Sequence, residues 1–138
     1  MLNVDFFTFN AFEENTYILS NDKKQCWIID PGMYGPQETE LMIKFITERQ
    51  LQPQAIINTH AHIDHIFGVQ ALINKYNIPF GVHEQEVPVL NMAAGSATLF
   101  GFDFISPPKP TFFIQAGVPQ RQETPGLFGI RRRAIAGL

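Results

Sequence analysis

Cysteine is nearly missing from this chain: Cys26 is the single one in 138 residues. No intrachain disulfide can form, which excludes the small disulfide-stapled class and fits a reducing compartment. Cys26 lies in the apolar run Cys26-Trp27-Ile28-Ile29, where a buried strand residue is expected rather than a nucleophile. No apolar run reaches membrane-spanning length, and the N-terminus has no basic segment followed by an apolar one. A membrane span or export signal is therefore not expected, and the expected location is cytoplasmic. An excess of positive charge is lacking too. Ten Lys and Arg against 13 Asp and Glu give a net charge of −3, so nothing draws the chain generally to nucleic acid or to a membrane surface. Internal repeats and long low-complexity segments are also absent. What the chain has is 45% hydrophobic residues, including 13 phenylalanines, enough for one domain with a modest core.

The apolar spacing predicts three short strands first, at Val4 to Phe9, Thr16 to Leu19 and Gln25 to Ile29. Asn21-Asp22 supplies the turn between the last two, which should pair antiparallel. Asp30-Pro31-Gly32 ends the third strand. A helix then starts near Pro36, with Glu38 and Glu40 in its first turn, Arg49 near its end, and Leu41, Met42, Phe45 and Ile46 on its apolar face. From Gln54 the order becomes strand, loop, helix, strand: Gln54 to Asn58, a helix over Ile66 to Asn77, and Phe80 to Val82. A further helix is expected over Glu84 to Leu99, started late by Pro88 and weakened at Gly95. Ser106 to Pro110 is a rigid extended stretch, and Phe112 to Ile114 begins one more strand. Strands alternating with helices predict an α/β fold with an open sheet.

The loop in the middle of this pattern carries the chemistry. Thr59-His60-Ala61-His62-Ile63-Asp64-His65 holds three of the four histidines and an aspartate. Imidazole and carboxylate suit zinc, iron or manganese. His60 and His62, two apart on extended chain, can point the same way, and the turn into the next helix brings Asp64 and His65 round beside them. Four such side chains at the C-terminal edge of a strand suit one metal ion or a pair. The plainer alternative, with Asp64 as a helix cap and the histidines as surface residues, does not account for the spacing.

The composition changes near Ala116. Four of the ten basic residues lie from Arg121 onwards, and Glu123 is the only acid after Asp103. Arg131-Arg132-Arg133 is a weak candidate for phosphate or nucleic-acid binding; a solvated basic tail is the expectation.

The motif from Thr59 to His65, with Gly68 three residues on, resembles the signature of the metallo-β-lactamase fold hydrolases. Asn15-Thr16-Tyr17-Ile18-Leu19 and Ile28-Ile29-Asp30-Pro31-Gly32 are similar to the early strands of that family, particularly its glyoxalase II-like branch. The resemblance covers roughly residues 2–115. It implies half of a four-layer αββα sandwich, in a half domain over 1–115 followed by a divergent tail over 116–138. His60 and His62 match two ligands of a first metal, and Asp64 and His65 match two of a second. Zinc is the cofactor implied, with iron or manganese as alternatives. In the family, a hydroxide held by the cations attacks the substrate. Asp64 matches a catalytic position that orients that nucleophile and accepts its proton, and Asp30 a position that holds a ligand histidine in one tautomer.

The pattern also departs from the family. No histidine follows His83, and Leu127 stands where Glu123-Thr124-Pro125-Gly126 would lead to a ligand. His83 matches a family histidine that is not a ligand. A truncated or frame-shifted product is the expectation. Two functions follow from the resemblance: a hydrolase acting on a thioester or similar small acyl substrate with an incomplete metal site, or an inactive half-fold that binds at most one metal. An open sheet face is costly in water, at about 25 cal/mol per Å² of apolar surface, so a homodimer or larger assembly is expected, with neither nucleic acid nor membrane as partner.

Overall fold

The computed structural model describes residues 1–104, 107 and 109–115, together with the backbone of 131–134. One seven-stranded mixed sheet runs through it in chain order. Its strands are β1 (Asn3–Phe9), β2 (Glu14–Ser20), β3 (Gln25–Ile29), β4 (Gln52–Asn58), β5 (Phe80–His83), β6 (Phe112–Gln115) and β7 (Arg131–Ala134). The first three are antiparallel neighbours. From β3 to β6 the pairing is parallel, and β7 closes antiparallel on β6. The helices are α1 (Gly35–Glu48), α2 (Val69–Tyr76), α3 (Val87–Asn91) and α4 (Ala93–Phe100). This is the expected α/β architecture.

Local chemistry explains the boundaries. Asn21 Oδ1 accepts from the backbone N–H groups of Lys23 and Gln25 at 3.0 and 3.1 Å, which fixes the turn between β2 and β3. Pro36 occupies the first turn of α1, where its missing N–H costs nothing. Glu38 takes the place of a cap by accepting from Tyr34 N at 2.8 Å. Met42 and Ile46 are the buried residues of this helix, while Leu41, expected on the apolar face, is 51% exposed. Pro53 enters β4 at an irregularity in the pairing between Cys26 and Trp27, which spares the ladder the donor that proline lacks.

Two helices differ from expectation. The end of the histidine motif makes a 3₁₀ turn at Ile63–His65, and α2, expected from Ile66, begins only at Val69. The single helix expected over Glu84 to Leu99 is broken into a 3₁₀ turn at Glu84–Glu86, then α3 and α4, with Met92 between them. Pro88 sits in the first turn of α3, so the proline starts the regular helix rather than interrupting it. Within the stretch read as a basic tail, residues 131–134 are a strand. Residues 116–130 and 135–138 lie outside the described residues.

The sheet separates two apolar layers. Ile18, Cys26, Ile28, Ile56, Phe80 and Val82 pack with α1, α2 and α4 through Met42, Ile46, Leu72 and Ala97. On the opposite face Trp27, Ala55, Ile57 and Phe112 form a smaller cluster. Strands β3 and β4 are thus apolar on both faces, as parallel strands usually are. Gly81 is needed there because a β-carbon would overlap the Phe112 ring. No described helix is long and apolar enough to cross a membrane.

Leu72 is fully buried and Leu99 is 83% exposed. Leu72→Ala is expected to cost about 2–5 kcal/mol in urea unfolding, and Leu99→Ala less than about 0.5 kcal/mol.

Candidate metal site

The parallel strands β3 and β4 end side by side, and the next residues of each meet. Asp30 follows β3 and donates its N–H to Ile57 O at 3.0 Å. Its carboxylate then reaches across to Thr59, just past β4. Oδ1 accepts from Thr59 N at 2.7 Å, and Oδ2 accepts a short bond from the Thr59 hydroxyl. Ligands of open α/β sheets commonly sit at this edge, beyond the carboxyl ends of parallel strands. Asp30 is 5% exposed and has a positive φ of 53°. Such a backbone costs a non-glycine residue about 1–3 kcal/mol, and it recurs where side-chain direction is functional.

The Thr59 hydroxyl decides the state of His60. Thr59 Oγ1 lies 3.0 Å from His60 Nδ1. Its one proton already goes to Asp30, so toward His60 it can only accept. The ring proton of neutral His60 is then on Nδ1, and the Nε2 lone pair is free to bind a cation. Asp30, the Thr59 hydroxyl and His60 Nδ1 thus form one chain of contacts.

His65 stands on the other side of the same carboxylate. Its Nδ1 is 3.2 Å from Asp30 Oδ2 and 3.5 Å from Glu14 Oε1, and its Nε2 is 3.4 Å from Asp64 Oδ2. None of these contacts gives Nδ1 an aligned hydrogen bond. The adjacent Asp30 raises the pKa of His65 above the ordinary histidine value, against the opposing effect of burial. Asp30, His60 and His65 each offer one ligand atom, and these lie within 4.8 Å of one another.

Glu14, the first residue of β2, is buried beside His65. Burial is the main cause that pushes its pKa up to about 8, with its Thr16 hydrogen bond acting in the other direction. Thr16 Oγ1 lies 2.9 Å from both Glu14 Oε2 and the Asp30 carbonyl. One hydroxyl proton cannot serve both oxygens, and a protonated Glu14 resolves the shortfall by donating in its turn. A β-carbon at position 32 would overlap Glu14 Oε2 and the Asp64 carbonyl, so Gly32 is what lets these three segments approach.

Backbone contacts hold the motif loop. Asn58, buried at the end of β4, donates to the carbonyls of His60 and His65 at 2.9 and 2.7 Å. Asn10, in the β1–β2 turn, donates to the carbonyls of Gly32 and Asp64, both at 2.9 Å. Glu86 Oε1 accepts from Ala61 N at 2.9 Å. The reading of Asp64 as a helix cap fails, because Gly68 holds that position in α2 with no side-chain bond.

Of the residues singled out in the sequence, His60, His65 and Asp30 converge. His62 is exposed, with its ring stacked 6.1 Å from that of His60, and the Asp64 side chain is 24% exposed beside His65. His83 lies apart from the cluster: its Nδ1 accepts from Gln85 N at 3.1 Å and caps the following 3₁₀ turn. The parts that sequence reasoning did not assign are Glu14, Asn58, Asn10, Glu86 and the role of Thr59. Asn58 gave a signal, as the polar residue ending an apolar strand just before the motif. Glu14, Asn10 and Glu86 gave none.

Nitrogen and oxygen donors around a buried nitrogen without an aligned partner fit a divalent first-row metal, which these ligand types favour. Thr59→Val is expected to weaken zinc binding about 10–100-fold, the usual cost of losing a partner behind a ligand histidine. Thr59→Ser should restore it. Calorimetric titration of zinc into the two variants measures both effects.

Residues 10–135 match the family model described as the metallo-beta-lactamase superfamily. Among curated relatives, the chain is 43% identical over 67 residues to hydroxyacylglutathione hydrolase of Enterobacter sp. (strain 638), covering 48% of this chain and 25% of the relative. It is 37% identical over 98 residues to the probable metallo-hydrolase YqgX of Bacillus subtilis (strain 168), covering 70% and 44%. The BLEG-1 B3 metallo-beta-lactamase superposes with a TM-score of 0.66 at 34% identity, over 78% of this chain and 50% of that one. The protein TTHA1623, solved in a di-iron-bound form, gives 0.68 at 26% identity, over 80% and 59%. The chain thus spans about half the length of these solved chains, and less than half of these curated relatives.

Proposed function

The chain belongs to the metallo-beta-lactamase superfamily, and on that premise we propose that it is a metal-dependent hydrolase of a thioester or similar small acyl substrate. The observation that carries this reading is the convergence of Asp30, His60 and His65 at the β3–β4 edge, with the His60 tautomer set by Thr59. One named similarity supports the acyl substrate, the hydroxyacylglutathione hydrolase of Enterobacter, and the probable metallo-hydrolase of Bacillus supports metal-dependent hydrolysis more broadly.

His60 and His65 would hold the metal, with His62 and Asp64 as the neighbouring donors. Asp30, whose oxygen lies in the same cluster, would add a further donor. Zinc is the metal proposed, with iron or manganese admitted by the same donors; bound there, it would make water acidic enough to ionise near neutral pH and would stabilise the developing oxyanion. Asp64, a partly exposed carboxylate beside His65, is the proposed catalytic residue that orients the water and receives its proton. The reaction is an exchange at the acyl carbon. The water oxygen forms the new bond, the carbon–sulfur bond breaks, and a proton leaves with the thiol.

A second reading is favoured by a specific surface. Val4 and Phe6 on β1 and Tyr17 on β2 lie on one sheet face and are 61%, 63% and 36% exposed. Such a patch supports self-association through this face, in an assembly that would not itself require turnover.

Hydrolysis of an acyl thioester by zinc-loaded protein is expected, with loss on chelation and in Asp64→Asn. Activity that survives both would sink the hydrolase reading. Light scattering is expected to give a dimer or larger species, and Phe6→Asp to shift it toward monomer; a monomeric wild type would contradict the second reading.

A further inference from the structure

A cavity of about 370 Å³ borders the motif loop through His62 and Asp64. Phe12 from the β1–β2 turn, Ile63 from the 3₁₀ turn, Val89 from α3, Met92 just before α4 and Phe100 at its end form its apolar wall. Phe12 and Phe100 meet edge to face, with centroids 5.9 Å apart. Yet Phe12 is still 44% exposed, Met92 67% and Phe100 60%, so much of this apolar surface remains open to solvent.

The polar groups on the described wall are His62, Asp64 and Ser96, with no lysine or arginine among them. At the apolar end of the cavity, among Phe12, Val89, Met92 and Phe100, a carboxylate or phosphate would give up its water without meeting a lysine or arginine. An uncharged apolar group avoids that penalty and gains from leaving water. The volume is at the small end of ligand pockets, which suits one aromatic ring or a short acyl chain.

We propose that this cavity takes the uncharged, apolar acyl portion of the substrate, a short alkyl chain or a single aromatic ring. Seated there, the acyl group presents its carbonyl carbon at the His62–Asp64 edge. The placement of the carbonyl rests on the hydrolase reading; the selectivity of the cavity does not.

The test separates the two. Benzamide and 4-carboxybenzamide are titrated into the full chain as purified, and the methyl signals of Ile63 and Ala93 are followed by NMR. Benzamide should move them and bind at least about ten-fold tighter than its carboxylate analogue, a margin of about 1.4 kcal/mol. Ser96→Phe should block binding by filling the cavity. Met92→Lys, at an exposed position, should move the preference toward the carboxylate without depending on a tightly packed variant. Equal binding of the two probes, a carboxylate preference in the wild type, or shifts confined to another surface would overturn the proposal. In parallel, butanoyl and succinyl thioesters of one thiol are compared as substrates. If benzamide binds as expected but neither thioester is cleaved, the cavity assignment stands and the hydrolase reading falls. If both are cleaved equally, the hydrolase reading stands and the cavity assignment falls.

Discussion

The Asp30 carboxylate, shared between Thr59 N and the Thr59 hydroxyl, is the contact on which the rest of the site depends. It ties the ends of two parallel strands together. By taking the hydroxyl proton it also leaves the Thr59 oxygen as an acceptor toward His60 Nδ1. A buried carboxylate has few stable states: it is hydrogen-bonded, paired, or neutralised. Here it takes two hydrogen bonds from Thr59, keeps His65 within 3.2 Å, and accepts a positive φ to do so. The strain and the buried charge both run against local stability, and the loop chemistry is what they support.

The layers around it follow from the same constraint. The strands beneath the site are apolar on both faces and packed on both, with Ile28 and Ile56 on one side and Trp27 and Ile57 on the other. That packing holds the two strand ends close enough for Asp30 to span them. The β1–β2 turn adds Asn10 and β2 adds Glu14, so the antiparallel end of the sheet also fixes the histidine loop. Buried Glu14, Gly32 without a side chain, and Thr16 bridging them form one packed unit.

Much of this was legible in the sequence. The strand–loop–helix order, the histidine motif and the turn residues at Asn21 and Pro31-Gly32 all carry local signals, because ligand spacing and turn chemistry are properties of neighbouring residues. The resemblance to the metallo-β-lactamase fold hydrolases placed Asp30 near the site. Long-range partners were not legible. Nothing near Glu14 shows that it will be buried against a histidine 51 positions later, and Asn10 reaches a carbonyl 54 positions away. The break between α3 and α4 was missed because Pro88 was given a delay in one helix, when the chain uses it to begin a short one. Strand β7 was missed because four residues rich in arginine have no apolar alternation to read.

We propose that Asp30, Thr59 and the histidine loop form a metal site. Elemental mass spectrometry of purified protein, exposed to zinc and then freed of loosely held ions, tests it directly. Stoichiometric zinc in the wild type, falling to trace in a His60→Ala/His65→Ala variant that remains folded by circular dichroism, is the predicted result. Trace metal in the wild type, or the same content in both proteins, would contradict the account.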